Sequence, residues 1–291
     1  MILKDSELIL NSDGSIYHLN LLPEDISDTI ITVGDPERVS CISKYFDTIE
    51  VSKQKREFKT ITGTYKGKII TVISTGIGTD NIDIVLNELD ALVNIDLKTR
   101  TINKVSKSLD IIRIGTSASI LKNIPINTFL LSELAIGFDS LLHFYKSKHI
   151  QKLELSKSFM KHICWSLEKS NPYAVSSNIQ LANLFNSEQI RKGLTITNPG
   201  FYGPQSRALR LELENPELMS KLTSFEYDGI QITNLEMETA GIYGLANLLG
   251  HRAVSISVIL ANRITGKFSE NPDKLVDDLI VYCLTKLTTQ S

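Results

Sequence analysis

Three cysteines in 291 residues, Cys41, Cys164 and Cys283, are too few and too widely spaced for a disulfide framework, and no CxxC pair is present. Each reads as a small buried hydrophobe in a reducing compartment. Long apolar runs are missing as well: no window approaches the roughly 20 apolar residues that span a bilayer. The N-terminus, MILKDSELILNSDGS, carries acids where a signal peptide would carry an apolar stretch. A cytoplasmic protein with no membrane partner is expected. Basic excess is lacking too. The formal net charge is −2, which argues against a nucleic-acid partner, because phosphate backbones demand a basic surface. There is no internal repeat, no low-complexity tract and no Pro/Gly/Ser-rich linker to divide the chain.

What is present is an ordinary globular composition, 42% apolar and 22% charged, in a chain long enough to bury a sizeable core. β-Branched apolar runs predict strands at Thr29–Val33, Ile69–Ser74, Ile111–Ile114, Thr128–Leu131, Leu194–Thr197 and Ala253–Leu260. Several are nearly continuous, as strands covered on both faces should be. Helical periodicity marks Pro36–Tyr45, Asp80–Leu92, Leu155–Glu168, Met237–Leu249 and Pro272–Leu287. Interleaved strands and helices predict an α/β fold, one domain over 1–291 with a central mixed β-sheet flanked by helices. The polar, Lys- and Thr-rich stretch from Asn94 to Leu109 reads as a surface insertion. In such folds ligands collect beyond the carboxyl ends of strands, so the residues following each strand carry most of the functional information.

Three of those junctions carry arginine. The first strand runs into Gly34-Asp35-Pro36-Glu37-Arg38: a turn residue, an N-cap, a proline suited to the first helical position, and a guanidinium near free helix amides that favour an anion. Its bland reading is a capped helix with a solvated arginine. Arg113 precedes Ile114-Gly115-Thr116-Ser117, and Arg56 sits in Lys55-Arg56-Glu57-Phe58 before a strand at Lys59–Thr64. Together the three suit a tetrahedral dianion, although each alone is unremarkable. Ser74-Thr75-Gly76-Ile77-Gly78-Thr79-Asp80 cradles a phosphate or simply turns the backbone, and it lacks the third glycine of a dinucleotide fingerprint, which excludes a hydride-transferring dehydrogenase. Glu236-Met237-Glu238 opens a helix rich in small residues. Its carboxylates are explained either by the helix macrodipole or as acceptors for a vicinal diol such as ribose. Two carboxylates also suit glycoside hydrolysis, but that chemistry leaves the arginines without a task.

The ordered series Val33-Gly34-Asp35-Pro36-Glu37-Arg38, Arg56-Glu57-Phe58, Ser74-Thr75-Gly76-Ile77-Gly78, Arg113-Ile114-Gly115-Thr116 and Glu236-Met237-Glu238 resembles that of the uridine phosphorylases, a family of the nucleoside phosphorylase superfamily. The match runs from Tyr17-His18-Leu19 to Asn262-Arg263, most of the chain. The resemblance implies phosphorolysis of uridine, or another pyrimidine nucleoside, to free base and ribose 1-phosphate. It implies phosphate on Gly34, Arg38, Arg113 and Thr116, with Arg56 reaching in from a neighbouring subunit. Ribose would meet Glu236, Met237 and Glu238, with His18 touching the 5′-hydroxyl across a dimer interface. Arg113, Arg38 and Glu238 would carry catalysis.

Phe201-Tyr202-Gly203-Pro204-Gln205-Ser206-Arg207 is similar to the family's base-recognition loop. Gln205 can read a uracil N3–H and the carbonyl beside it, Arg207 the other carbonyl, Phe201 the ring face, and Arg263 the leaving group. Purine-specific relatives place an Asp near the position of Arg263, where this chain reads Ala261-Asn262-Arg263. Two departures bear on the base: Ser117 and Ala118 stand where the family commonly has Thr and Gly. No cofactor is expected, since phosphate is a co-substrate. The family's monovalent cation at the dimer interface would meet Glu57, but Asn81 replaces a serine at another ligand position, so no metal is assigned and the interface cation stays open. Shared sites imply a homodimer at least, and the family extends to hexamers. The rivals are a purine nucleoside phosphorylase, a hydrolytic nucleosidase and a catalytically silent nucleoside-binding protein.

Overall fold

Continuous apolar strands form the centre of the molecule, as expected for a sheet covered on both faces. The computed structural model describes residues 2–289. Strand β1 (Thr29–Val33) is buried at all five positions, and it leads into α1 (Pro36–Ser43), where Asp35 Oδ1 accepts the Glu37 amide at 2.8 Å. A polar hairpin, β2 (Thr48–Lys55) and β3 (Phe58–Tyr65), precedes β4 (Lys68–Ser74) and α2 (Thr79–Asn94). On α2, Ile82, Val85, Leu86, Leu89 and Leu92 recur at helical spacing and are buried. The chain continues through a short hairpin, β5 (Ile95–Asp96) and β6 (Thr101–Ile102), then β7 (Asp110–Ser119), β8 (Phe129–Gly137), α3 (Leu153–Ile163), β9 (Tyr173–Ser176), α4 (Ile179–Leu184) and β10 (Ile190–Thr197). It ends with α5 (Leu218–Ser224), β11 (Glu226–Tyr227), β12 (Ile230–Glu236), α6 (Thr239–Leu249), β13 (Arg252–Asn262), β14 (Lys267–Phe268) and α7 (Pro272–Thr288).

The result is a single α/β domain on a 12-stranded sheet, ordered β11-β12-β10-β8-β13-β7-β1-β4-β3-β2, with β9 paired to β8 and β14 to β13. Strand β1 pairs in parallel with β4 and β7, and β7 with β13, whereas β2, β3 and β4 form an antiparallel meander. The sheet is mixed, as the sequence leads one to expect. It also curls: β12 pairs antiparallel with β7 through Asn234↔Ser119 and Leu235↔Ala118, which closes β12, β10, β8, β13 and β7 into a ring. Register shifts in β10 and β13 allow the bend. Helices α2 and α6 pack into one apolar cluster that includes Leu86, Leu89, Ile242 and Tyr243, and α7 into a second with Val254, Ile256 and Leu284. Each fully buried Ile or Leu contributes about 1.5–3 kcal/mol relative to exposure.

Two local expectations need amendment. Cys41 and Cys164 are exposed, and Cys283 alone is buried; burial pushes its thiol well up from the ordinary value. Cys164 ends α3 in the left-handed conformation, φ 55°, which stops that helix before the expected Glu168. The segment 94–109 holds the β5–β6 hairpin, and while most of it is exposed, Leu97 and Leu109 are buried against the core.

Candidate active site

One cavity of about 790 Å³ lies at the carboxyl ends of the central strands. It gathers Gly34 and Arg38 from the β1–α1 turn, Gly76 and Ile77 after β4, and Arg113, Thr116, Ser117 and Ala118 from β7. Phe201, Gln205 and Arg207 come from the loop after β10, Glu236 to Glu238 from the β12–α6 junction, and Leu260, Ala261 and Arg263 from the end of β13. Eleven of the thirteen site residues singled out from sequence line this single space. Leu235, Leu260 and Phe268 add apolar wall. Their apolar side chains carry no signal of their own in the sequence.

At one end sits a buried charge cluster. Arg113 ion-pairs with Glu238 and lies 3.4 Å from Glu236. Burial opposes its charge, yet the carboxylates of Glu238 and Glu236 outweigh that and hold the guanidinium above its ordinary pKa. Burial raises the Glu236 carboxyl, with Arg113 pulling against it. The two glutamates are employed differently. Glu236 accepts from the Thr197 hydroxyl at 2.5 Å and from the Glu238 and Thr239 amides at 2.9 Å, so it caps α6. Glu238 is held by Arg113 and by the Gly78 amide at 2.8 Å. Gly78 reaches that position with φ +93°, a backbone region glycine adopts without steric cost.

Beside this cluster two cationic donors lack an anion. Arg113 Nη1 is buried without a hydrogen-bond partner. The Arg38 side chain makes no protein hydrogen bond or ion pair among the described residues; its pKa is lowered first by burial and then by the neighbouring Arg113 charge. Two adjacent guanidiniums with unspent donors, at a turn that opens a helix, form a receptor for an oxyanion. Gly115 makes this arrangement possible, because a Cβ there would overlap the Arg113 guanidinium. Gly115→Ala is therefore expected to displace that guanidinium and lower kcat/KM on the order of 10²-fold, the cost of a misplaced reacting group. Thermal unfolding of the variant should come at a lower temperature as well, because the guanidinium is pushed out of its buried ion pair, and a kcat/KM within twofold of the parent would refute the arrangement.

At the opposite end the loop after β10 is folded onto itself. The Gln205 side chain is 2% exposed and accepts a hydrogen bond from Arg207. Arg207 also donates to the Phe201 carbonyl at 2.8 Å and stacks over the Phe201 ring, 3.8 Å from its centre. Arg263 grips the loop backbone through the Gln205 and Ser206 carbonyls at 2.9 and 3.1 Å. Burial, then the Arg263 charge, lowers Arg207 to about 10. An incoming ligand with carbonyl acceptors would relieve that desolvated charge.

Residues 28–284 match the phosphorylase superfamily. The chain belongs to this superfamily. A uridine phosphorylase of Thermococcus kodakarensis is 28% identical over 272 residues, which cover 90% of this chain and 83% of the relative. A DeoD-type 2 purine nucleoside phosphorylase of Vibrio cholerae is 24% identical over 276 residues, covering 92% and 96%. A solved Trypanosoma brucei nucleoside phosphorylase, described as showing uridine phosphorylase activity, superposes with TM-score 0.84 and 29% identity over 96% of this chain and 99% of that one. The fold is that of a nucleoside phosphorylase, and the enzyme class is a pentosyltransferase.

Two expected site residues of this phosphorylase lie outside the cavity lining of their own chain. Arg56 is exposed at the β2–β3 turn, in the left-handed region at φ 55°. His18 lies in the N-terminal segment, paired with Glu88 of α2 at 2.6 Å. Glu57 and Asn81 both pack beside Gly76. No group of three or more His, Cys, Asp or Glu side chains is arranged to hold a metal among the described residues. No helix among them is long and apolar enough to cross a membrane.

Proposed function

We propose that this phosphorylase cleaves uridine with inorganic phosphate, yielding uracil and ribose 1-phosphate, as a cytoplasmic step of nucleoside salvage. The observation that carries the phosphate half is the pair of unspent guanidinium donors on Arg38 and Arg113. Gly34 and Thr116 complete that subsite, and Arg56 is supplied by a second copy of the chain, as is His18. Glu238 accepts the ribose 2′- and 3′-hydroxyls, with Met237 against the sugar and Glu236 fixing the start of α6. The base half rests on Gln205 and Arg207, an amide and a guanidinium held side by side. They match the N3–H and carbonyl edge of uracil, with Phe201 on the ring.

The anomeric carbon faces the bound phosphate. The C1′–N1 bond breaks with its electron pair going to N1, and negative charge spreads onto the uracil carbonyls, where Gln205 and Arg207 receive it. A phosphate oxygen then bonds to C1′. No covalent enzyme intermediate is needed; positioning and preorganised charge supply the rate. Arg263, by gripping the loop backbone, keeps the base-reading pair in register.

The test is base release from uridine, thymidine, inosine and adenosine, with and without phosphate. Phosphate-dependent cleavage with uridine preferred is the expected result. Release without phosphate would overturn phosphorolysis, and preference for inosine would overturn the pyrimidine assignment in favour of the activity named for the Vibrio relative. Gln205→Ala should lower kcat/KM for uridine by roughly 10- to 100-fold, as expected for losing hydrogen bonds of about 1.5–3 kcal/mol made to charge building on the base, while leaving the KM for phosphate within about twofold.

A further inference from the structure

We propose that Glu88 is a positioning residue that locks the His18 imidazole with Nε2 outward, as the acceptor for the sugar 5′-hydroxyl in the site of a second copy. The inference rests on the nucleoside reading above and goes beyond it in assigning Glu88. One carboxylate collects three donors from the same short segment: the His18 amide at 3.0 Å, the Leu19 amide at 2.9 Å and His18 Nδ1 at 2.6 Å. An ionised carboxylate only accepts, so Nδ1 carries the proton. In the neutral ring Nε2 then holds a lone pair, and it has no hydrogen-bond partner among the described residues. A ring nitrogen fixed in direction and left as an acceptor fits a hydroxyl donor.

The surroundings hold this segment from a second side. Tyr17 meets the His18 ring edge-on at 4.8 Å. Lys55 lies over the Tyr17 ring at 4.4 Å, and its ammonium donates to the Tyr17 carbonyl at 2.5 Å and to Asn11 at 2.8 Å. Arg56 is the next residue. His18 and Arg56, the two expected site residues absent from the cavity of their own chain, thus stand on one preassembled prong. Helix α2 links the prong to the sugar end, since Glu88 sits on it and the Gly78 amide at its start binds Glu238. Prior ordering spares the side-chain entropy that a mobile histidine would lose on meeting substrate.

Glu88→Gln tests the assignment, because a glutamine still accepts from the two backbone amides but replaces the charge-assisted bond to Nδ1 with a weaker neutral one, which loosens the hold on the ring. The wild type and variant are compared on whichever nucleoside the wild type cleaves and on its 5′-deoxy analogue. The expected result is a fall of about tenfold in kcat/KM on the nucleoside, the scale of one hydrogen bond, and a change of less than twofold on the analogue. In a His18→Asn background, Glu88→Gln should add no further loss. Equal losses on both substrates would make Glu88 a staple of the N-terminal segment and overturn the proposal, and so would no loss on either. A wild type inactive on every nucleoside would instead overturn the nucleoside reading itself, and the proposal with it.

Discussion

Arg113→Met is expected to lower kcat/KM for nucleoside phosphorolysis by about 10³-fold, the scale of losing a buried donor to transition-state charge, and to destabilise the fold by roughly 3–5 kcal/mol, the cost of breaking a buried ion pair. Both effects have one source. The guanidinium faces Glu238 and Glu236 with one edge, and its Nη1 is buried against Gly115 without a hydrogen-bond partner. Removing it deletes an anion donor and strands two buried carboxylates. Arg113→Lys separates the two effects: it restores a positive charge and much of the stability, but a point charge cannot serve two carboxylates and an oxyanion together, so activity should stay at least tenfold down. Steady-state kinetics and urea unfolding of both variants check this, and a Met variant with a parental urea midpoint would show that the pair is not buried as described.

The stability loss should depend on pH with a definite sign. Glu236 already has its carboxyl raised by burial, so between the ordinary glutamate value and the raised one the folded state binds more protons than the unfolded state. Stability then falls as pH rises through that window. Without Arg113 the carboxyl is raised further and the window widens. The deficit of Arg113→Met relative to the parent should therefore be smaller at pH 5 than at pH 8, measured as the difference in urea midpoints.

Elements whose burial is written in one continuous run were legible in the sequence. Thr29–Val33 needs no partner information to read as a covered strand, and Asp35-Pro36 marks the start of α1 by its own capping chemistry. Strand β2 was not legible: it is polar, carries exposed residues along its length, and exists because β3 offers it a ladder. Likewise β8 runs six residues past Leu131, through Ser132 and Glu133, because the Ser132 hydroxyl finds Thr195 across the sheet at 2.6 Å. A pattern read along the chain cannot see a partner 63 positions away. The same limit applies at the cavity. Residues with distinctive chemistry could be named from sequence, whereas the division of labour between Glu236 and Glu238 depends on Thr197, Gly78 and Arg113, which only the closed ring of strands brings together. The Asn234 amide, bonded to Ser117 at 3.0 Å beneath the cavity, is a further support of this kind.

That division of labour gives the second large effect. Glu238→Ala should reduce kcat/KM on uridine by about 10²- to 10⁴-fold, because two hydroxyls each lose a bond to a charged acceptor at roughly 1.5–3 kcal/mol apiece. The loss should shrink on 2′-deoxyuridine, where one hydroxyl is gone, and shrink further on 2′,3′-dideoxyuridine, which offers the carboxylate nothing to bind. Glu236→Gln should behave otherwise. Its carboxylate is already occupied by the Thr197 hydroxyl and two α6 amides, so its removal should lower the melting temperature and depress turnover on all three substrates by a similar factor. A sugar-dependent loss in Glu236→Gln, or a sugar-independent one in Glu238→Ala, would reverse the two roles. The discriminating quantity is the ratio of uridine to 2′,3′-dideoxyuridine kcat/KM, in which a general loss of folded enzyme cancels.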